Sequence, residues 1–178
     1  YWCYFKCFRR LVRKNMIVII CGPRDFKDYG ELKKAIKASG FDITEIVHGA
    51  ATGADSLAGD YANEFGIKCV EFPADWNNIK VPDAQIAENA WGKKYNKNAG
   101  FARNIKMAIY AVETSQTHKV GVGCIAIKMK TAGTEHMVSK AKEHNIPVFE
   151  YVPYLDIAKP EGEYLYVFGQ DTAAKTRG

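Results

Sequence analysis

Nowhere does the sequence approach the roughly twenty consecutive apolar residues that a membrane-spanning helix requires, so a soluble protein with no membrane partner is expected. It also lacks the long apolar stretch and small-residue cleavage site of a secretory signal. Its first fifteen residues, Tyr1 to Asn15, are aromatic and basic with no acidic residue, and Arg9, Arg10, Arg13 and Lys14 follow the aromatic cluster. Beyond that leader, long blocks of one charge are missing as well. The formal charge is +5, but Lys and Arg alternate with Asp and Glu along the chain, unlike a nucleic-acid-binding stripe. Paired metal ligands are absent: Cys3 and Cys7 have a suitable spacing, yet no second Cys or His pair lies nearby to complete four ligands. No metal or other cofactor is therefore expected. Cys21, Cys69 and Cys124 sit in apolar runs and read as reduced core residues, which suits the cytoplasm.

What the sequence does have is a regular alternation of strand and helix patterns. At 178 residues it is long enough for one well-packed core and short for two. Met16 to Cys21 is a continuous apolar run rich in β-branched residues, the pattern of a strand buried on both faces. A helix is expected over residues 29 to 39, with Leu32, Ala35 and Ile36 inward and Gly40 as its stop. Ile43 to His48 reads as a second strand. Ala54, Leu57, Ala58, Tyr61, Ala62 and Phe65 then recur at helical spacing up to Gly66. Lys68 to Phe72 is a third strand, and Pro73 to Gly100 is a long polar insertion of the kind that is functional, partly helical or mobile. Phe101, Ile105, Ala108, Ile109 and Val112 trace the apolar stripe of a third helix. Val120 to Ile127 is a fourth strand, Gly133-Thr134 opens a fourth helix carrying Met137, Val138 and Ala141 inward, and Pro147 to Tyr151 is a fifth strand. Glu163 to Phe168 reads as an edge strand.

The fold class expected is α/β, a Rossmann-like open and mostly parallel sheet with helices on both faces. One domain spans residues 16–168, preceded by a basic aromatic leader at 1–15 and followed by a frayed tail at 169–178. The leader reads equally as an accessory helix, an oligomer contact or a start placed too early, since Met16 begins the cleaner pattern.

Ligands of such sheets sit beyond the carboxyl ends of the strands, which singles out the residues that follow each strand. After the first come Gly22, Pro23, Arg24 and Asp25, a tight turn with a planar cation suited to phosphate or carboxylate. After the second come His48, Gly49, Ala50, Ala51, Thr52, Gly53, Ala54 and Asp55, a small-residue loop entering a helix, where backbone N–H groups can face an anion. Thr52 and Asp55 also have the spacing of a capping box, which would satisfy the helix's own amides instead. Arg103 and Asn104 open the helix after the insertion, off its apolar stripe. A cation is poorly placed for the dipole there, so Arg103 is expected to meet an anion. Gly133, Thr134 and Glu135 form a second small-residue entrance, with Glu135 able to cap, to accept from ribose hydroxyls or to act in acid/base chemistry. Trp76, Trp91, Tyr95 and Phe101 lie in or beside the insertion, where one could stack on a base while the others pack it onto the sheet.

Taken in order, Gly22-Pro23-Arg24-Asp25-Phe26, His48-Gly49 to Asp55, Ala74-Asp75-Trp76, Ala99-Gly100 to Asn104 with Met107, and Gly133-Thr134 resemble the YspA-like branch of the SLOG superfamily, which includes the SMF, DprA and LOG proteins. The likeness covers about Met16 to Tyr151. It implies a Rossmann-like domain with a pocket for nucleotides or nucleotide-derived ligands of the ADP-ribose type. The related LOG phosphoribohydrolases use an Arg-x-x-x-Met helix and a Gly-Gly-x-Gly-Thr-x-x-Glu loop. Arg103 and Met107 match the first. In the second Gly133 and Thr134 match, Lys130 and Thr131 replace the paired glycines, and Met137 stands at the glutamate position. Glu135 is two residues early, which on a helix turns it about 200° away.

The expected function is binding, by sensing or sequestration, of an ADP-ribose-type or cyclic nucleotide without LOG-type catalysis. The alternatives are an N-glycosidase acting on a nucleoside monophosphate or NAD-like substrate, with Glu135 or Asp55 stabilising charge on the ribose, and a single-stranded DNA binder using Lys80 to Phe101. The expected partners are the small molecule and a second copy of the chain in a homo-oligomer, with nucleic acid disfavoured.

Overall fold

All six residues of Met16–Cys21 are buried, as a strand covered on both faces must be. The computed structural model describes residues 15–129, 131–154 and 166–167. In chain order its elements are β1 (Met16–Cys21), α1 (Tyr29–Ser39), β2 (Ile43–His48), α2 (Ala54–Phe65), β3 (Lys68–Glu71), the short β4 (Ile86–Glu88) and β5 (Lys94–Asn96), α3 (Ala99–His118), β6 (Gly121–Ile127), α4 (Ala132–Glu143), β7 (Val148–Tyr151) and β8 (Tyr166–Val167). The main sheet has the order β3-β2-β1-β6-β7-β8. Its first five strands are parallel, and β8 pairs antiparallel with β7 at the edge.

The side chains of β1 divide the core in two. Met16, Val18 and Ile20 pack with Leu32, Ala35, Ala58 and Ala62 of α1 and α2, whereas Ile17, Ile19 and Cys21 pack with Met107, Ala108, Met137 and Val138 of α3 and α4. Two helices therefore cover each face, which makes this the Rossmann-like α/β arrangement expected of the sequence. The chain runs outward from β1 to β2 and β3, then returns past β1 to build β6 and β7. Between β1 and β6 the connections leave the sheet in opposite directions and a crevice opens at the strand ends.

Local chemistry sets the element ends. Asp28 caps α1 by accepting from the Glu31 amide at 2.9 Å. Gly40 and Gly66, at φ 66° and 64°, turn the chain out of α1 and α2 in the left-handed region that glycine enters without a side-chain penalty.

Two expectations are corrected. The insertion after β3 is not helical: it carries the antiparallel β4–β5 hairpin, held by Asn96, whose amide donates to the Trp76 carbonyl at 2.8 Å and whose Oδ1 accepts from the Gln85 and Asn98 amides. Nor does Trp91 pack on the sheet, being 88% exposed. The second correction concerns the buried face of α3, which comprises Ala99, Asn104, Met107, Ala108, Ala111 and Ser115. Phe101, Ile105 and Ile109 are exposed and Val112 is half-buried, so of the expected stripe Ala108 alone is fully buried. Small residues at 99, 108, 111 and 115 let α3 lie close to the sheet, which larger side chains would prevent.

The leader's residues 1–14, including Cys3 and Cys7, and the tail from Gly169 lie outside the described residues, and of the expected 163–168 strand only Tyr166–Val167 is described. Among the described residues no helix is long and apolar enough to cross a membrane.

Candidate functional site

The crevice between β1 and β6 holds a cavity of about 390 Å³, within the usual range for small-molecule sites. Each wall comes from the segment that follows a strand. Cys21, Gly22, Arg24 and Asp25 come from the end of β1, Gly49, Ala51 and Asp55 from the β2–α2 loop, and Trp76 and Lys97 from the insertion. The first turns of α3 supply Gly100, Phe101, Arg103, Asn104 and Met107, and the entrance to α4 supplies Thr131, Gly133 and Thr134.

The β2–α2 loop is tied back upon itself. Asp55 Oδ2 accepts from the amides of Gly49 at 3.1 Å and Ala51 at 3.3 Å, and the Ala50 amide donates to His48 Nδ1 at 3.1 Å. The Ala54 amide donates to the Pro23 carbonyl at 3.1 Å. Arg103 reaches over from α3, donating through Nη1 to the Gly49 carbonyl and lying 3.6 Å from Asp55 Oδ2. Glycine at 49 leaves room for this contact, because a Cβ would run into the Arg103 guanidinium and stand 2.8 Å from Asp55 Oδ2. Gly53 is constrained more tightly: at φ 81° and ψ −128° its Cβ would strike the backbone of Pro23 and Arg24.

The expected capping box is therefore not formed. Gly53, not Thr52, is the N-cap of α2, with no side-chain cap bond. Thr52 is exposed, and Asp55 turns back to organise the loop. Burial pushes the Asp55 carboxyl above its ordinary value, outweighing the Arg103 charge and the two amides that favour the anion. Burial likewise lowers the pKa of Arg103, against the pull of Asp55. Arg103 thus has protein partners already, and its Nε is buried without one.

The α4 entrance is arranged differently. Thr131 is its N-cap with no side-chain cap bond, and the Glu135 amide donates to the Thr131 carbonyl at 3.0 Å. Thr131 and Thr134 share a hydroxyl hydrogen bond of 2.7 Å. Asn104 Nδ2 donates to the Gly133 carbonyl at 3.1 Å, which fixes the loop against α3. Among the described residues nothing accepts from the amides of Ala132, Gly133 and Thr134. Free donors at the positive end of a helix, two of them on the lining residues Gly133 and Thr134, are suited to an anion.

Further out, Arg24 lies 5.3 Å from the Trp76 ring centroid, a contact worth about 0.5–1 kcal/mol when exposed. Trp76 itself packs over Gly100, where a Cβ would come within 3.3 Å of the indole. Phe101 stacks on His136 with centroids 4.4 Å apart.

Of the residues singled out from the sequence, the cavity brings together Gly22, Arg24, Asp25, Gly49, Asp55, Trp76, Arg103, Asn104, Gly133 and Thr134. Five lie elsewhere. Pro23 and Gly53 brace the two loops against each other behind it, and Thr52 faces solvent. His48 is buried below the β2–α2 loop, with burial lowering its pKa. Its Nδ1 accepts from Ala50, which puts the ring proton on Nε2, 3.7 Å from Glu71. Glu135 is exposed on α4, away from the lining, while Met137 at the position of the LOG glutamate is 1% exposed in the core. Ala51, Gly100, Phe101, Met107 and Thr131 also line the cavity; they lay in or beside motifs read from the sequence without being chosen as ligand-binding, and Cys21 and Lys97 were missed. Cys21 and Thr131 immediately flank motifs already identified, and adjacency was the available signal. Lys97 carried none, since the hairpin that delivers it lacks strand alternation. Among the described residues no cluster of His, Cys, Asp and Glu could hold a metal ion.

A model of the YspA, cpYpsA-related SLOG family (YAcAr) matches residues 16–78, from β1 through β3 to just past Trp76. No curated protein matches the chain.

Proposed function

From the premise that this chain belongs to the YspA-like SLOG family, whose membership suggests a nucleotide-related role, we propose that it binds an ADP-ribose-type or cyclic nucleotide, sensing or sequestering it. The observation that carries this reading is the open α4 entrance, with unused amides on the lining residues Gly133 and Thr134 of a cavity also lined by Trp76 and Phe101. A phosphate fits the amides and a base fits the aromatic wall. Holding is favoured over LOG-type cleavage because the carboxylate that mechanism needs is replaced by a core methionine, and Glu135 faces solvent. Calorimetric titration with ADP-ribose, cyclic ADP-ribose isomers, AMP and cyclic dinucleotides tests it. Saturable heat with at least one is expected, and none with any at high micromolar concentration contradicts it.

One observation favours a second reading, an N-glycosidase. Asp55 is a buried carboxylate on the cavity wall, able to stabilise positive charge developing on a ribose. Chromatography of nucleoside monophosphates and NAD after overnight incubation decides between them. Unchanged peaks support binding alone, whereas release of base that Asp55→Asn abolishes supports cleavage.

A further inference from the structure

The two oxygens of Asp55 are not equivalent. Oδ2 takes the Gly49 and Ala51 amides and faces Arg103. Oδ1 has no donor among the described residues, and it is not sealed in protein, because Asp55 lines the cavity and this atom is absent from the buried orphans His48 Nε2 and Arg103 Nε. The side chain as a whole is 8% exposed. An ionised carboxylate only accepts hydrogen bonds, so an open oxygen on a nearly buried, immobilised carboxylate calls for a ligand donor.

Consecutive residues of one helical turn connect the Asp55 carboxylate, through its other oxygen, to the α4 entrance. Arg103 anchors the Asp55 side and Asn104 anchors the Gly133 carbonyl. The two features line one cavity, and they demand opposite chemistry. The amides take an anion, and the carboxylate takes a donor while repelling an anion. A phosphorylated sugar offers both groups at short separation, whereas a base lies further from its phosphate.

We propose that Asp55 is a specificity-determining residue whose Oδ1 accepts a hydrogen bond from a ribose hydroxyl of the ligand, setting the sugar against β2–α2 and the phosphate against α4. This rests on the nucleotide reading above. It makes the site selective for ribose over deoxyribose, because a missing hydroxyl would leave a buried acceptor unpaired.

The test is calorimetry with whichever of AMP and ADP-ribose binds the protein more tightly, compared with its 2′-deoxy and 3′-deoxy forms. At least tenfold weaker binding of one deoxy form is expected. In Asp55→Asn, the oxygen can keep the loop amides while an NH₂ group replaces the acceptor, so that preference should fall to a few-fold. Equal affinity for all three forms, or a preference undiminished in the variant, overturns the assignment and leaves the nucleotide reading standing. No binding by any nucleotide overturns both. If the variant fails to fold, judged by circular dichroism, the wild-type ratio alone decides.

Discussion

The two helix entrances that border the cavity look alike in sequence and differ in what they do with their amides. At α2 the loop amides of Gly49, Ala50 and Ala51 and the first helical amide, Ala54, are taken by Asp55, His48 and the Pro23 carbonyl, which leaves only those of Asp55 and Ser56 in the first turn without an acceptor among the described residues. At α4 the amides of Ala132, Gly133 and Thr134 stay open among the described residues. A small-residue loop running into a helix therefore does not by itself make an anion site; what matters is whether a neighbouring acceptor has already filled it. One entrance spends its loop amides and its first helical amide on a frame that holds a carboxylate and a guanidinium in place, and the other keeps all three first-turn amides open.

Glycine substitutions break this contrast most sharply. Gly53→Ala puts a methyl into the backbone of Pro23 and Arg24 at a φ of 81°, and a loss of about 3 kcal/mol or more is expected in urea unfolding. Gly49→Ala displaces the Arg103 guanidinium from its carbonyl and from Asp55, for which about 1–3 kcal/mol is expected by the same measurement. Gly133→Ala meets nothing within 4 Å, so stability should stay within about 1 kcal/mol of wild type and can rise. Nucleotide affinity should nonetheless fall in Gly133→Ala, because the methyl stands beside the open amides.

The closed entrance also has a pH signature. The folded-state pKa of Asp55 is raised above 3.8, so across that interval the folded state binds more protons than the unfolded chain. The contribution of this group is most favourable below pH 3.8 and falls as pH rises through the folded-state value. The stability difference between wild type and Asp55→Asn, followed by urea midpoints from acid to neutral pH, should therefore shrink or become more negative with rising pH. An increase would mean that Arg103 and the loop amides outweigh burial.

Much of this architecture was legible. The bounds of β1, α1, β2 and α2 follow from apolar runs and from Gly40 and Gly66, because local patterning and backbone freedom agree there. The orientation of α3 was not legible. Hydrophobicity pointed Phe101, Ile105 and Ile109 inward, but close helix-to-sheet packing selected the small side chains and turned those three outward. In the site, the loops that converge were readable from strand ends, whereas the division of labour between the entrances was not. Thr52 and Asp55 have capping-box spacing, and only the three-dimensional path of the loop shows Asp55 accepting from Gly49 and Ala51 instead. The β4–β5 hairpin was hidden because strands of three residues, Ile-Ala-Glu and Lys-Tyr-Asn, are too short to show a period.

The most direct test follows the backbone amides by ¹H–¹⁵N correlation spectroscopy during titration with AMP and ADP-ribose. Saturable shifts are expected at Ala132, Gly133 and Thr134, with much smaller ones at Gly49 and Ala51, whose protons are held by Asp55. Absence of saturable shifts, or shifts concentrated at Gly49 and Ala51 while the α4 amides stay still, would contradict the account.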